Sequence, residues 1–315
     1  TKAKKLDQGN FTYPYEIMYA YHQKKEYKKC IKIGKKLKKH ANAKDAMYQL
    51  LGNTYGLIDN NKKAAATYAE GLVRFPKSGR LLLEQGLLKM EEKKYEEAIK
   101  LWEKGIMLDP DYPSNYYWAS KLYAESSELI WAALYGEIFI NLEPITLRTK
   151  EISALLFEVY NKAITIESDS TANVNFSEIM LLGRPDKEMV RLPFSGIFEL
   201  DMGAAVAVAI TTEKKELSLN DIAAIRSGFI EQWYARKHHL DYPNVLFDYL
   251  LSVAKNGHSI CYTYWLFSAG DFNTFKAFYE QKANDFDAFL QWYNDNYLKL
   301  DENNRFHSTQ YVIEN

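Results

Sequence analysis

Residues 45–78 read DAMYQLLGNTYGLIDNNKKAAATYAEGLVRFPKS. The landmarks of this stretch are Gly52, Ala64, Tyr68, Gly71 and the pair Phe75-Pro76. They return 34 residues later as Gly86, Ala98, Trp102, Gly105 and Asp109-Pro110. Part of the set returns once more, as Ser120, Ala132 and Glu143-Pro144. Each proline ends a helix, because the residue before it is pushed out of the α region. Small residues at fixed places let two helix backbones approach, and the large ring at 68 or 102 fills the space beside them. Thirty-four residues accommodate two helices of about 13 residues and two short turns. The period therefore predicts an array of antiparallel helix pairs.

The pattern resembles the tetratricopeptide family, whose signature combines an aromatic, a Leu-Gly step and a Tyr with a later Ala, an aromatic and a closing Pro. Unit 45–78 carries Tyr48, Leu51, Gly52, Tyr55, Ala64, Tyr68, Gly71 and Pro76. Unit 79–112 keeps Leu82, Gly86, Ala98, Trp102, Gly105 and Pro110 but has Gln85 and Lys89 at two signature places. Unit 113–146 keeps Tyr116, Ser120, Tyr123, Ala132 and Pro144, with bulk and space exchanged at Gly136 and Phe139. In a worn first unit, 11–44, Tyr21 and Cys30 are in register while Met18 and Asn42 replace the glycine and the proline. Such decay suits a terminal, capping repeat. The whole chain is similar in style to uncharacterised bacterial tetratricopeptide proteins.

The resemblance implies an all-α fold, a superhelix of antiparallel helix pairs followed by a second α-helical region. The expected domains are 1–163, four repeats plus a capping helix at 147–163; an irregular linker at 164–195 with room for one short hairpin; and a C-terminal α-helical domain at 196–315. Within the last, Ser218 and Asp221 form a capping box, Pro243 suits a first helical turn and Gly257 a helix end, and Asp271 and Asp285 are candidate caps. Tyr262, Trp265, Gly270, Phe275 and Tyr279 outline a worn helix pair, and 301–315 reads as a loosely held tail.

Hydrophobic residues make up 47% and charged residues 26% of the 315, the balance of a soluble globular chain. Eight prolines and fifteen glycines are too few for an all-β or disordered one. The apolar run from Gly203 to Ile210 falls short of the roughly 20 residues a membrane span needs, so no transmembrane segment is expected. The chain begins at Thr1. A signal peptide removed before it would make the protein periplasmic or exported, and without one it is cytoplasmic. Cys30 and Cys261 make neither a metal pattern nor a disulfide framework. Residues 1–44 hold 13 Lys and 3 acidic residues, net +10, against 27 basic and 38 acidic residues in the remainder, net −11.

Candidate chemistry is sparse. His238, His239 and Asp241 are dense in ligand types, yet neighbouring helical residues point about 100° apart, which spoils a shared metal. His258 and Cys261 lack the third orienting group a nucleophile needs. Glu91, Glu92, Glu96 and Glu97 suit a turn and a helix start, and Asp109 and Asp111 suit a turn. No catalytic residue, cofactor or metal is expected, and the chain reads as a non-enzyme.

The resemblance implies a scaffold that binds a protein or peptide through the concave groove formed by the first helix of each pair. On that face fall Tyr15, Tyr19, His22, Asn53, Leu83, Leu87, Tyr117 and Lys121. One version of the family grips a C-terminal carboxylate with a Lys/Asn set and an Arg. Here the five places hold Tyr15, Tyr19, Leu50, Arg80 and Glu84 in one frame and Gln49, Asn53, Gln85, Ser114 and Trp118 in the next, one match of five in each. That clamp is not expected. An alternative is binding of a glycan or cell-envelope component of a Gram-negative bacterium, with tyrosines stacking on sugar rings. A second surface is basic: Lys25, Lys28, Lys32, Lys35, Lys36 and Lys39 share a helix face opposite Tyr27, Cys30, Ile31 and Leu37, either solvated or a dock for an acidic partner, an anionic lipid surface or nucleic acid.

Overall fold

The computed structural model describes residues 10–168, 171–178, 192–210 and 216–311. Among them the chain is all-α apart from one hairpin. Nine helices occupy residues 12–163: α1 Thr12–Gln23, α2 Tyr27–Leu37, α3 Asp45–Gly56, α4 Asn61–Arg74, α5 Gly79–Glu91, α6 Tyr95–Leu108, α7 Pro113–Ala124, α8 Leu129–Leu142 and α9 Leu147–Ala163. They are followed by β1 Ile164–Ser168 and β2 Thr171–Val174, then α10 Phe194–Ala209, α11 Leu219–Ala235, α12 His238–Asp241, α13 Val245–Lys255, α14 Ser259–Leu266, α15 Phe272–Gln281 and α16 Ala283–Asp295. A 3₁₀ turn, Ser308–Tyr311, comes last. The chain divides into two compact units, Thr1–Asn115 and Tyr116–Asn315, the division falling in the first turn of α7.

In the first unit the 34-residue period is a packing period. A Cβ on Gly52 would lie 2.0 Å from the Tyr68 ring, and one on Gly86 would lie 2.1 Å from Trp102 Nε1. Only glycine lets the second helix of each pair bring its ring against the first helix's backbone. Trp102 is fully buried and its Nε1 donates to the Leu83 carbonyl at 3.2 Å, so the indole loses no hydrogen bond on burial. Ala64 and Ala98 are fully buried. In the worn first repeat, Met18 lies against Gly34 and takes the place of ring and gap together. The turn inside each pair also repeats: Lys25, Asp59 and Lys93 have φ of 58°, 56° and 59°, the left-handed conformation that closes a helix end. Between pairs, Ser78 caps α5 through the Leu81 N–H and donates to Asp45, while Arg74 reaches the carbonyls of His40 and Ala41.

The second unit is organised around α8, LIWAALYGEIFINL, which buries twelve of its fourteen residues. A helix apolar all round belongs inside. Its one acid, Glu137, takes both Arg226 Nη atoms, at 3.0 and 2.6 Å. Tyr262 donates to the same carboxylate at 2.8 Å, and Tyr160 accepts from Arg226 at 2.9 Å. This buried pair is fully engaged on its carboxylate side, the condition under which such a pair is tolerated. α9 starts on a Thr146–Thr149 capping box, and its Ile152 and Leu156 fill the space over Gly136.

Residues 164–168 and 171–174 form one hairpin: β1 and β2 pair antiparallel, with Ile164 opposite Val174. Phe176 is fully buried, and its N–H and that of Ser177 donate to Glu199 at 2.7 and 2.6 Å. The Gly183-Arg184-Pro185 part of the expected linker lies outside the described residues. Ser218 and Asp221 form the expected capping box, Gly257 ends α13 at φ 77°, and Asp271 caps α15. Two expectations are corrected. Pro243 precedes the helix, because Asn244 supplies the cap of α13, and Asp285 sits inside the first turn of α16, not at its cap. The tail reading of 301–315 is corrected as well. Phe306 is fully buried among Trp131, Tyr135 and Phe194, and the Ser308 N–H donates to Tyr135 at 2.7 Å. Residues 312–315 lie outside the described set.

Candidate functional site

In the first unit α1 carries Tyr15, Tyr19 and His22, α3 carries Gln49 and Asn53, and α5 carries Arg80, Leu83, Glu84 and Leu87. A polar ladder joins α3 to α5. Arg80 Nη1 donates to Gln49 Oε1 at 2.9 Å, Gln49 Nε2 donates to Glu84 Oε1 at 2.6 Å, and Asn53 Nδ2 donates to the same oxygen at 3.3 Å. Asn53 in turn accepts from Tyr68 at 2.5 Å. The Arg80 guanidinium lies 5.2 Å over the Tyr112 ring and 3.7 Å from Asp45. Burial pushes the Glu84 carboxyl above the ordinary carboxylate range, with Gln49, Asn53 and Arg80 acting in the opposite direction.

The residues expected on this face take different places. Tyr15 is half-buried and stacks on Phe11 at 5.6 Å. Burial raises its hydroxyl pKa, and the charge of Arg80 acts against that rise. Tyr19 is 45% exposed, the most open aromatic of the set. His22 Nδ1 is 2.9 Å from Thr54 Oγ1. Thr54 spends its proton on the Leu50 carbonyl, so the imidazole donates to the hydroxyl, and so does the Cys30 thiol at 3.3 Å. Burial lowers the His22 pKa. Leu83 is buried in its helix seam and Leu87 is half-buried. In the second unit, Tyr117 is buried and donates to Glu151 at 2.6 Å, while Lys121 pairs with the same carboxylate and lies 5.1 Å over the Tyr117 ring.

Gln49, Arg80, Glu84 and Tyr112 are the additional members of the site. The carboxylate-clamp places include Gln49, Arg80 and Glu84 but do not show that they bond to one another, because Arg80 falls in register with Ala46 and Glu84 with Leu50. Their spacing does carry a signal: Asp45, Gln49 and Asn53 are four apart, as are Arg80 and Glu84, so each set lies along one helix face.

The lysine series stands apart from these residues. Lys25, Lys28, Lys32, Lys35, Lys36 and Lys39 are all exposed, whereas Cys30, Gly34 and Leu37 turn inward from α2.

The other clusters resolve into structure. His238 Nε2 is 3.6 Å from the buried Asp201 carboxylate, which also pairs with Arg236 at 2.5 Å, and His239 stacks on Tyr234. His258 lies against Trp292 and Phe289. Cys261 is buried and free, and its burial raises the thiol pKa. Glu92 and Glu97 share Lys89, and Asp109 accepts the Gly79 N–H at 2.8 Å. Among the described residues no three His, Cys, Asp or Glu side chains converge as on a metal ion, and no helix is long and apolar enough to cross a membrane.

The family model for the TPR repeat matches residues 86–126, from the glycine that faces Trp102 to the end of α7. Residues 86–126 therefore match the tetratricopeptide repeat, and the 34-residue period carries the same glycine-and-ring packing into the preceding helix pair. No curated protein matches the chain. Among solved structures, a crystal structure of the MamA protein is similar at 20% identity over 48% of this chain and 80% of that one, with a TM-score of 0.38. A tetratricopeptide repeat protein from Parabacteroides merdae ATCC 43184 is similar at 13% identity over 90% of this chain and 99% of that one, with a TM-score of 0.39. Tetratricopeptide repeats are protein-interaction modules, and the repeats give this chain a scaffold's architecture.

Proposed function

We propose that this chain is a non-enzymatic scaffold that holds a protein or peptide segment against the first helices of its repeats. The observation that carries this reading is Arg80. Its side chain is 35% exposed yet held by Gln49 on one side and the Tyr112 ring on the other. A cation fixed before its ligand arrives loses little freedom on binding, and its remaining N–H groups suit a carboxylate or backbone carbonyl. Gln49 and Asn53 each keep amide capacity beyond the bond to Glu84 for a peptide backbone, while Tyr15, Tyr19 and Leu87 offer apolar area. Tyr117 and Lys121 are a separate contact patch of the same chemistry. His22 and Leu83 support the face from behind.

The test is affinity capture from the source cell with wild type and with an Arg80→Ala/Gln49→Ala double variant, with a glycan array as second arm. The expected result is a captured protein whose affinity falls about tenfold or more, roughly 1.4 kcal/mol, in the folded double variant. Affinity unchanged there, and unchanged in Tyr15→Ala/Tyr117→Ala, would move the site elsewhere. Binding confined to glycans would support a carbohydrate scaffold instead.

A further inference from the structure

The outer face of α2 has a different chemistry from the groove. Lys28, Lys32, Lys35, Lys36 and Lys39 fall within about 100° of arc and run about 16 Å along the helix and the turn after it. Together they rim a shallow depression floored by Ile31. Lysines flanking the row are neutralised: Lys29 pairs with Glu26 and Lys38 with Glu70. None of the five in the row has a carboxylate within ion-pair distance among the described residues. At the N-terminal end of the row the turn after α3 exposes two aliphatic side chains, Leu57 at 55% and Ile58 at 42%. Ile58 shares a second shallow depression with Lys25 and Lys28. The acids bordering this end are Glu26, already paired, and Asp59.

We propose that this face of α2, with the Leu57–Ile58 turn beside it, docks on the anionic headgroups of a phospholipid bilayer. Two features select a bilayer among anionic partners. All thirteen basic residues of 1–44 are lysine and none is arginine. Lysine is a hydrated point charge that acts on a diffuse field, whereas a bidentate grip on single phosphates or carboxylates calls on arginine. An exposed aliphatic pair beside the charges also has nothing to gain from a soluble polyanion, but it gains by entering the headgroup boundary. The inference is independent of the groove, since no residue is shared between the two.

The experiment is co-sedimentation of the full chain with vesicles of phosphatidylcholine containing about one-third phosphatidylglycerol, against pure phosphatidylcholine, at low and high salt. The expected result is partition onto the anionic vesicles alone, abolished by high salt because the charges are exposed. K28E/K32E/K35E/K36E/K39E should lose at least about tenfold of that partition. L57S/I58S should lose severalfold while leaving retention on heparin unchanged. All seven positions are solvent-facing, and thermal melts followed by circular dichroism check the fold. If the charge reversal unfolds the protein, the corresponding five-fold Lys→Gln variant replaces it. Failure to partition at low salt, equal partition onto neutral vesicles, or retention by heparin with no vesicle binding would overturn the assignment. An L57S/I58S variant that partitions like wild type would overturn it too, leaving the face to a soluble polyanion.

Discussion

At the scale of single residues, two positions test the fold and the groove. Lys93 closes its helix pair at φ 59°, where a side chain costs roughly 1–2 kcal/mol over glycine. Lys93→Gly should therefore stabilise the protein by about 1 kcal/mol, visible as a rise in Tm. A fall would mean that the lysine side chain contributes more than the strain removes. Glu84 tests the groove through pH. Burial holds its folded pKa above the unfolded value, so the native state takes up a proton between the two. Wild-type stability accordingly falls as pH rises from about 4.3, the free Glu value, through the folded pKa, and is flat beyond it. Glu84→Gln has no such proton. The variant's Tm relative to wild type should climb over that window and then level, and a difference independent of pH would place the carboxylate in water-like surroundings. The sequence hides both positions. Lys25, Asp59 and Lys93 close turns without the glycine that marks a left-handed residue, and the Glu84 ladder joins side chains from unlike places in the repeat.

At the scale of elements, legibility follows periodicity. The helices of residues 45–146 were readable because Gly, Ala, ring and Pro recur together, and each member has a physical duty: Gly52 and Gly86 accept rings, and Ala64 and Ala98 sit in closed seams. The segment 301–311 has no period. Its composition, with Asp301, Glu302, Asn303 and Asn304 in a row, reads as solvent-facing chain, and one buried phenylalanine reverses that reading. Phe306 packs on Trp131 of α8 and Phe194 of α10, so this segment straps the second unit. Phe306→Ala should cost about 3–5 kcal/mol, the usual loss for a buried ring, measured by denaturant midpoint. A loss under about 1 kcal/mol, within the range of surface substitutions, would return the segment to a tail.

At the scale of the molecule, burial is uneven, and stability should be uneven with it. Local opening is governed by how many buried contacts an element must give up. α8 buries twelve of fourteen residues and holds the Glu137 end of the buried ion pair. α1 buries Met18 alone, and α15 buries none of its residues. Both α1 and α15 are regular α-helices, so secondary structure by itself predicts equal protection for all three. The packing predicts a wide spread. In native-state hydrogen exchange, α8 amides should exchange only with global unfolding of the second unit, whereas α1 and α15 should exchange by local opening orders of magnitude faster. Glu137→Gln should collapse part of that difference. It leaves the Arg226 charge buried without its counter-ion, a loss of about 3–5 kcal/mol, and should speed α8 exchange while leaving α1 at its wild-type rate. Exchange in α8 that matched α15 in the wild-type protein would show that the core lies elsewhere than around this helix.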